Sequence, residues 1–254
     1  MHTATIAGTS IVLLGSFNPD VFTVGWLLHH ELIGEDSVDS SNPGINIPFE
    51  VARINLKDCW VVVEKNKLVI STTSSPYTFI SDLAVNILIL IGPSCVVEKI
   101  GFNYEEHYMF TPQEREDIGL ALAPRAVWGD WGKALHNSDL SNPQNGLRTM
   151  TMKQSELYDR VDGSINVTVG VSERVTNGVG FKYNDHFDLF EDNDTESNLT
   201  QSSKGKRKPK KKGVELPEVN GYKDAIALIN EKYLLSVENS KVIFSGVIGA
   251  SLNV

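Results

Sequence analysis

The sequence predicts an α+β fold: a ferredoxin-like split βαβ N-terminal half, followed by an antiparallel meander with a C-terminal helix. Three observations lead there. Hydrophobic periods of two and about 3.6 residues alternate through the first hundred residues in the order β-α-β-β-α-β. Three strand patterns then follow one another between residues 147 and 189, joined by turn residues. An amphipathic pattern resumes after a long charged stretch near the end. With 254 residues and 41% hydrophobic content, the chain has ample apolar material for a core.

Residues 11–17 are a compact apolar run ended by Asn18-Pro19, which reads as a strand and a turn. Asp20 then caps a helix over residues 21–32, where Val21, Val24, Leu28 and Leu32, joined by Phe22 and Trp26, recur at helical spacing before Gly34. Residues 35–48, rich in Ser, Asn, Asp, Gly and Pro, read as a loop. Residues 49–56 alternate as a strand, and residues 59–63 and 68–72 form a hairpin about Lys65-Asn66-Lys67. Pro76 opens a helix through Leu83, Ile87 and Ile91 that stops at Gly92-Pro93, and residues 95–102 return as a strand.

The second half begins with Thr111-Pro112-Gln113-Glu114, which places Thr at the N-cap, Pro at the first helical position and Glu at the third, the capping-box arrangement. This helix should end near Pro124. Strands are expected over residues 147–157, 164–175 and 179–189, with Asn177-Gly178 suited to a type I′ hairpin turn. Asn166, Thr168 and Ser172 alternate with Ile165, Val167, Val169 and Val171, so this sheet should keep one wet face. Residues 191–213 are almost wholly polar or charged and read as a disordered linker. Tyr222, Ala225, Ile226, Ile229 and Tyr233 mark an amphipathic helix, and residues 242–248 a last strand. The domain map is 1–110 for the ferredoxin-like part, 111–190 for the antiparallel sheet, 191–213 for the linker, and 214–254 for a helix and strand packing on 111–190.

Charge and short motifs exclude several functions. The net charge of −9 disfavours polyanion binding by the body of the protein. From Asp185 to Gly213, six acidic and seven basic residues leave a net +1, so the remainder carries −10. The basic run Lys204, Lys206, Arg207, Lys208, Lys210, Lys211 and Lys212 is a candidate nucleic-acid contact, although it has no interleaved aromatics to stack on bases. No Gly-x-Gly-x-x-Gly, phosphate loop or Gly-x-Ser-x-Gly elbow is present. His29 and His30 are adjacent rather than four apart, so they fail zincin spacing, and Asp192-Asn193-Asp194 opens no complete calcium loop. No metal or other cofactor is expected.

Two candidate sites remain. His107, beside Glu105 and Glu106, and His186, between Asp185 and Asp188, have carboxylates near enough in sequence for general-base chemistry. Trp128 and Trp131 lie on a turn-like segment; burial under a loop is the ordinary reading, and exposure would make them anchors for a protein partner. Cys59 and Cys95 sit in apolar runs as small buried groups, as expected in a reducing, cytoplasmic setting. The N-terminus lacks the charged start and long apolar run of an export signal, and no membrane span is expected. The sequons at Asn166, Asn193 and Asn198 then read as chance matches.

Residues 97–104 form a strand of the pattern Val-x-Lys-Ile-Gly-Phe-Asn-Tyr after a helix, and residues 224–248 join a helix to a Phe-containing strand. In both respects the chain resembles a sporadically distributed family of uncharacterised bacterial proteins, from which the basic insertion departs. The resemblance implies fold and cytoplasmic location and brings no catalytic residues. The best functional reading is a noncatalytic interaction or accessory subunit of a cytoplasmic bacterial complex, with a protein partner or a second copy of itself. The alternatives are nucleic-acid contact through residues 204–212 and an enzyme with a site near His107 or His186.

Overall fold

The computed structural model describes residues 2–42, 44–141, 145–155, 157, 163–189 and 221–252. The strands are β1 (Ile6–Ser16), β2 (Gly44–Ile47), β3 (Val51–Asn55), β4 (Trp60–Glu64), β5 (Lys67–Thr72), β6 (Val96–Tyr108), β7 (Thr149–Gln154), β8 (Gly163–Val171) and β9 (Val179–Asp188). They form one sheet in the order β2-β3-β4-β5-β1-β6-β9-β8-β7, with every neighbouring pair antiparallel. The helices are α1 (Val24–His29), α2 (Thr78–Ile91), α3 (Pro112–Leu122), α4 (Gly129–Ala134) and α5 (Tyr222–Leu252). The long central strands β1 and β6 let the segments 1–110 and 111–190 share this sheet, through the β6–β9 ladder.

Alternation along the strands sorts the sheet into two faces. Ile11 and Leu13 of β1, Leu68 and Ile70 of β5, Phe102 and Tyr104 of β6, and Phe181 and Tyr183 of β9 are all buried on the face that α2 and α5 cover. α5 is held by its own period: Ala225, Ile229, Tyr233, Val237, Ser240, Phe244, Ile248 and Ser251 are buried at spacings of three or four. The Phe244 ring sits 5.3 Å from Phe181 and 6.0 Å from Tyr104, centroid to centroid. Tyr233 donates to Thr9 Oγ1 and to the Tyr77 carbonyl, so its hydroxyl is satisfied inside the core. α3 carries the expected capping box, with Thr111 Oγ1 accepting from Glu114 N–H and the Glu114 carboxylate accepting from Thr111 N–H.

Several expectations need correction. Residues 242–248 continue α5 instead of forming a strand, because Phe244 and Ile248 extend the stripe of Ser240 at intervals of four and that stripe overrides local β propensity. The helix expected over 21–32 is six residues long. Asp20 belongs to the preceding 3-10 turn Pro19–Val21 and accepts a hydrogen bond from Phe49 N–H, while Thr23 caps α1 by accepting from Trp26 N–H. The loop expected over 35–48 contains β2, whose Ile45 and Ile47 pair with Arg53 and Val51. Helices are sparse in the N-terminal half, so the coarser α+β class is what holds there, with β4, β5, β1 and β6 side by side in that order and every pair antiparallel. Asn177 does take a left-handed conformation, but β8 ends at Val171 and the connection runs over residues 172–178. Ser172 Oγ accepts from the N–H groups of Arg174 and Val175 and turns the chain early. The linker expected over 191–213 lies outside the described residues.

Candidate functional site

The face of the sheet opposite the helices carries a row of directly paired residues crossing eight strands: Asn55, Trp60, Ser71, Ser10, Asn103, Asn184, Asn166 and Lys153. Asn103 Nδ2 donates to Ser10 Oγ at 3.2 Å, and Asn184 Nδ2 donates to Asn103 Oδ1 at 2.7 Å. Small residues on β1 and β5 lower the floor here. Gly8, Ser10 and Ser71 lie between the Trp60 side chain and the taller Asn103, Glu105 and Asn184, and together they line a groove of about 390 Å³. The alternation of Asn166 and Thr168 with apolar neighbours signalled the β8 part of this wet face. The rest depends on strand order, which no local pattern encodes.

At one end of the β6–β9 ladder, His107 is only 1% exposed and its Nδ1 lies 2.8 Å from Ser172 Oγ. Ser172 Oγ already accepts two backbone hydrogen bonds, so its proton goes to Nδ1 and the imidazole carries its own proton on Nε2. Nε2 faces Glu105 Oε2 at 3.5 Å, too long and poorly aligned for a hydrogen bond. Glu105 Oε1 is itself paired with Arg174 at 2.7 Å. A serine, a histidine and a carboxylate therefore meet, but the serine oxygen is committed to the turn and the histidine is sealed from substrate. Glu106 points to the opposite, helix-covered face, where it accepts from Tyr104 and Tyr108 hydroxyls at 2.8 and 2.5 Å. Burial, together with this carboxylate, pushes both phenols well above their ordinary range.

His186 lies on the open face, two strand-pair positions from Asn103, and its Nε2 is 3.2 Å from Asp188 Oδ1. Asp188 also pairs with Lys99 at 2.7 Å. Asp185 is buried on the other face and accepts from Ser236 of α5. The structure thus separates His107 from His186 and does not gather Glu105, Glu106, His107 and His186 into one pocket. Among the described residues, no group of three or more His, Cys, Asp or Glu side chains is placed to hold a metal ion.

Trp128 and Trp131 are not covered by a loop. They are 57% and 61% exposed, 5.6 Å apart in an edge-to-face pair, beside Val127 at 77%. Their segment is firmly seated. Arg125 forms a 2.6 Å ion pair with Glu116 of α3, Gly129 takes a positive φ of 59° to join the turn to α4, and Gly132 packs where a Cβ would be 2.0 Å from the Arg125 carbonyl oxygen. Residues 204–212 lie outside the described residues. No described helix is long and apolar enough to cross a membrane. Neither a protein-family model nor any curated protein matches the chain.

Proposed function

We propose that this protein is a noncatalytic interaction subunit that docks a protein partner through Val127, Trp128 and Trp131. The observation that carries the reading is the exposed tryptophan pair on an anchored turn. Large aromatics displayed in a fixed geometry lose little conformational entropy on binding and bury much area, which is why Trp dominates interface hot spots. The saturated Ser172 oxygen and the enclosed His107 weigh against the catalytic alternative. Two buried free thiols suit a cytoplasmic setting. Size-exclusion chromatography with light scattering and affinity capture from the native host test the proposal. A partner or a homo-oligomer should be lost in the Trp128→Ala/Trp131→Ala variant, whereas a wild-type protein that stays a monomer and captures nothing defeats it.

A second reading is supported by the charge run: Lys204, Lys206, Arg207, Lys208, Lys210, Lys211 and Lys212 would contact phosphates electrostatically. Salt-dependent binding of a labelled duplex or single strand, abolished by deleting residues 204–212, is its signature. Flat anisotropy at low salt retires it.

A further inference from the structure

We propose that the groove on the open sheet face is a second binding site, separate from the tryptophan pair, and that it takes a neutral polyhydroxylated ligand, an oligosaccharide. Three features of the groove lead to that class. The first is its shape. Lining residues come from β4, β5, β1, β6, β9 and β8, so the groove crosses six strands, and five inter-strand steps give a length of about 24 Å. It is open along its length, fitting an extended chain of rings better than a compact metabolite.

The second feature is charge. Among the described residues, the charged side chains lining the groove are Glu105 and Lys182. Glu105 is paired with Arg174 at 2.7 Å, and Lys182 lies 3.5 Å from Glu173. The groove therefore offers no net charge to complement an ionic ligand, and the chain's net −9 repels polyanions. A neutral ligand is the electrostatic match.

The third feature is the kind of polar group present and its spare capacity. Asn184 Oδ1, Asn166 Oδ1 and the hydroxyls of Ser71 and Thr73 make no hydrogen bond with a described residue, whereas the amide row holds Asn103 and Asn184 in fixed orientation. Amides and hydroxyls act as both donors and acceptors, which is what a run of sugar hydroxyls requires. Trp60 supplies the apolar wall on which the C–H face of a pyranose ring can lie. Its partners in the row are Asn55 and Ser71, so stacking and hydrogen bonding are offered side by side.

Titration calorimetry of the full chain with soluble hexamers of cellulose, chitin, starch and xylan type tests the assignment, with a heparin hexasaccharide and an oligothymidylate as charged controls. At least one neutral hexamer should bind. Trp60→Ala and Asn184→Ala, each checked for an unchanged unfolding midpoint, should weaken it at least about tenfold. Trp128→Ala/Trp131→Ala should leave it intact, which keeps this site distinguishable from the proposed protein-docking surface. No heat with any neutral hexamer at millimolar concentration overturns the assignment, as does binding of the charged controls alone or binding unchanged in both groove variants. Capture of a protein partner that is lost on Asn184→Ala overturns it in favour of a protein interface on this face.

Discussion

Gly180 stands directly opposite His107 across the β6–β9 ladder, and a Cβ at position 180 would lie 3.0 Å from His107 Nδ1 and 3.1 Å from Cε1. The imidazole cannot simply swing away, because Nδ1 accepts from Ser172 and the ring is 1% exposed. Gly180→Ala should therefore cost about 1–3 kcal/mol through overpacking. Gly246, exposed in the interior of α5 with nothing within 4 Å of an added Cβ, gives the opposite sign: Gly246→Ala should stabilise by about 0.5–1 kcal/mol. Urea midpoints of the two variants check both, and a neutral Gly180→Ala would mean that the His107–Ser172 contact is looser than its geometry implies.

The parts of this fold that were legible in the sequence are those governed by local physics. The capping box at Thr111 and Glu114, the hairpin about residues 65–67, the α2 stripe and the strands of the 147–189 region all follow from side chains within a few positions of one another. Residues 242–248 misled because Val, Ile and Phe favour strands locally, while the stripe continuing from Tyr233 through Ser240 decided the outcome. Ser172 misled because its hydroxyl, rather than Asn177-Gly178, sets where the hairpin turns. The groove was illegible for a different reason. Ser10, Asn103, Asn184 and Asn166 are far apart in sequence and become a row only once β1, β6, β9 and β8 lie side by side.

The second prediction concerns how α5 is held. Phe244 is fully buried between Tyr104 and Phe181, and truncating it to Ala should cost about 3–5 kcal/mol. A protease site placed within 191–213 and cleaved should leave the two pieces co-eluting on size exclusion, since α5 buries nine residues of its own. The same cut in a Phe244→Ala chain should release the C-terminal piece. Release from the otherwise native cut chain would show that the connection, rather than packing, keeps α5 in place.

The third prediction is chemical. Burial, with the charge of Asp58 added, pushes the Cys59 thiol up to about 12, and burial also raises Cys95. The thiolate is the reactive species, so at pH 8 neither residue should be alkylated by iodoacetamide in the folded protein. Mass spectrometry should find both labelled only after denaturant is added. Rapid labelling of Cys59 in the native state would contradict its burial beside the start of β4.

The last prediction follows the Lys99–Asp188 pair through acid. Burial works to raise the Asp188 carboxyl, but the hydrogen bond from Lys99 at 2.7 Å and the neighbouring His186 outweigh it, and the net shift is downward from the ordinary 3.8. A carboxylate whose folded pKa lies below its unfolded value adds stability that is fully present above the unfolded pKa and is lost as pH falls through the folded one. The loss therefore belongs below about pH 4. Glu114, lowered by its hydrogen bonds to Thr111, and Asp39, lowered by Ser41, titrate in the same window, so wild-type acid sensitivity alone assigns nothing to Asp188. The difference between wild type and Asp188→Asn isolates it. Thermal midpoints of the variant should fall less steeply with pH than those of the wild type in that window, and Lys99→Met should flatten the curve in the same way, since it removes the group that depresses the carboxyl. Near neutral pH, Lys99→Met should change the midpoint little, because a half-exposed ion pair contributes at most about 1 kcal/mol. Parallel curves for all three proteins would mean that Asp188 is no better stabilised as a carboxylate in the folded chain than in the unfolded one.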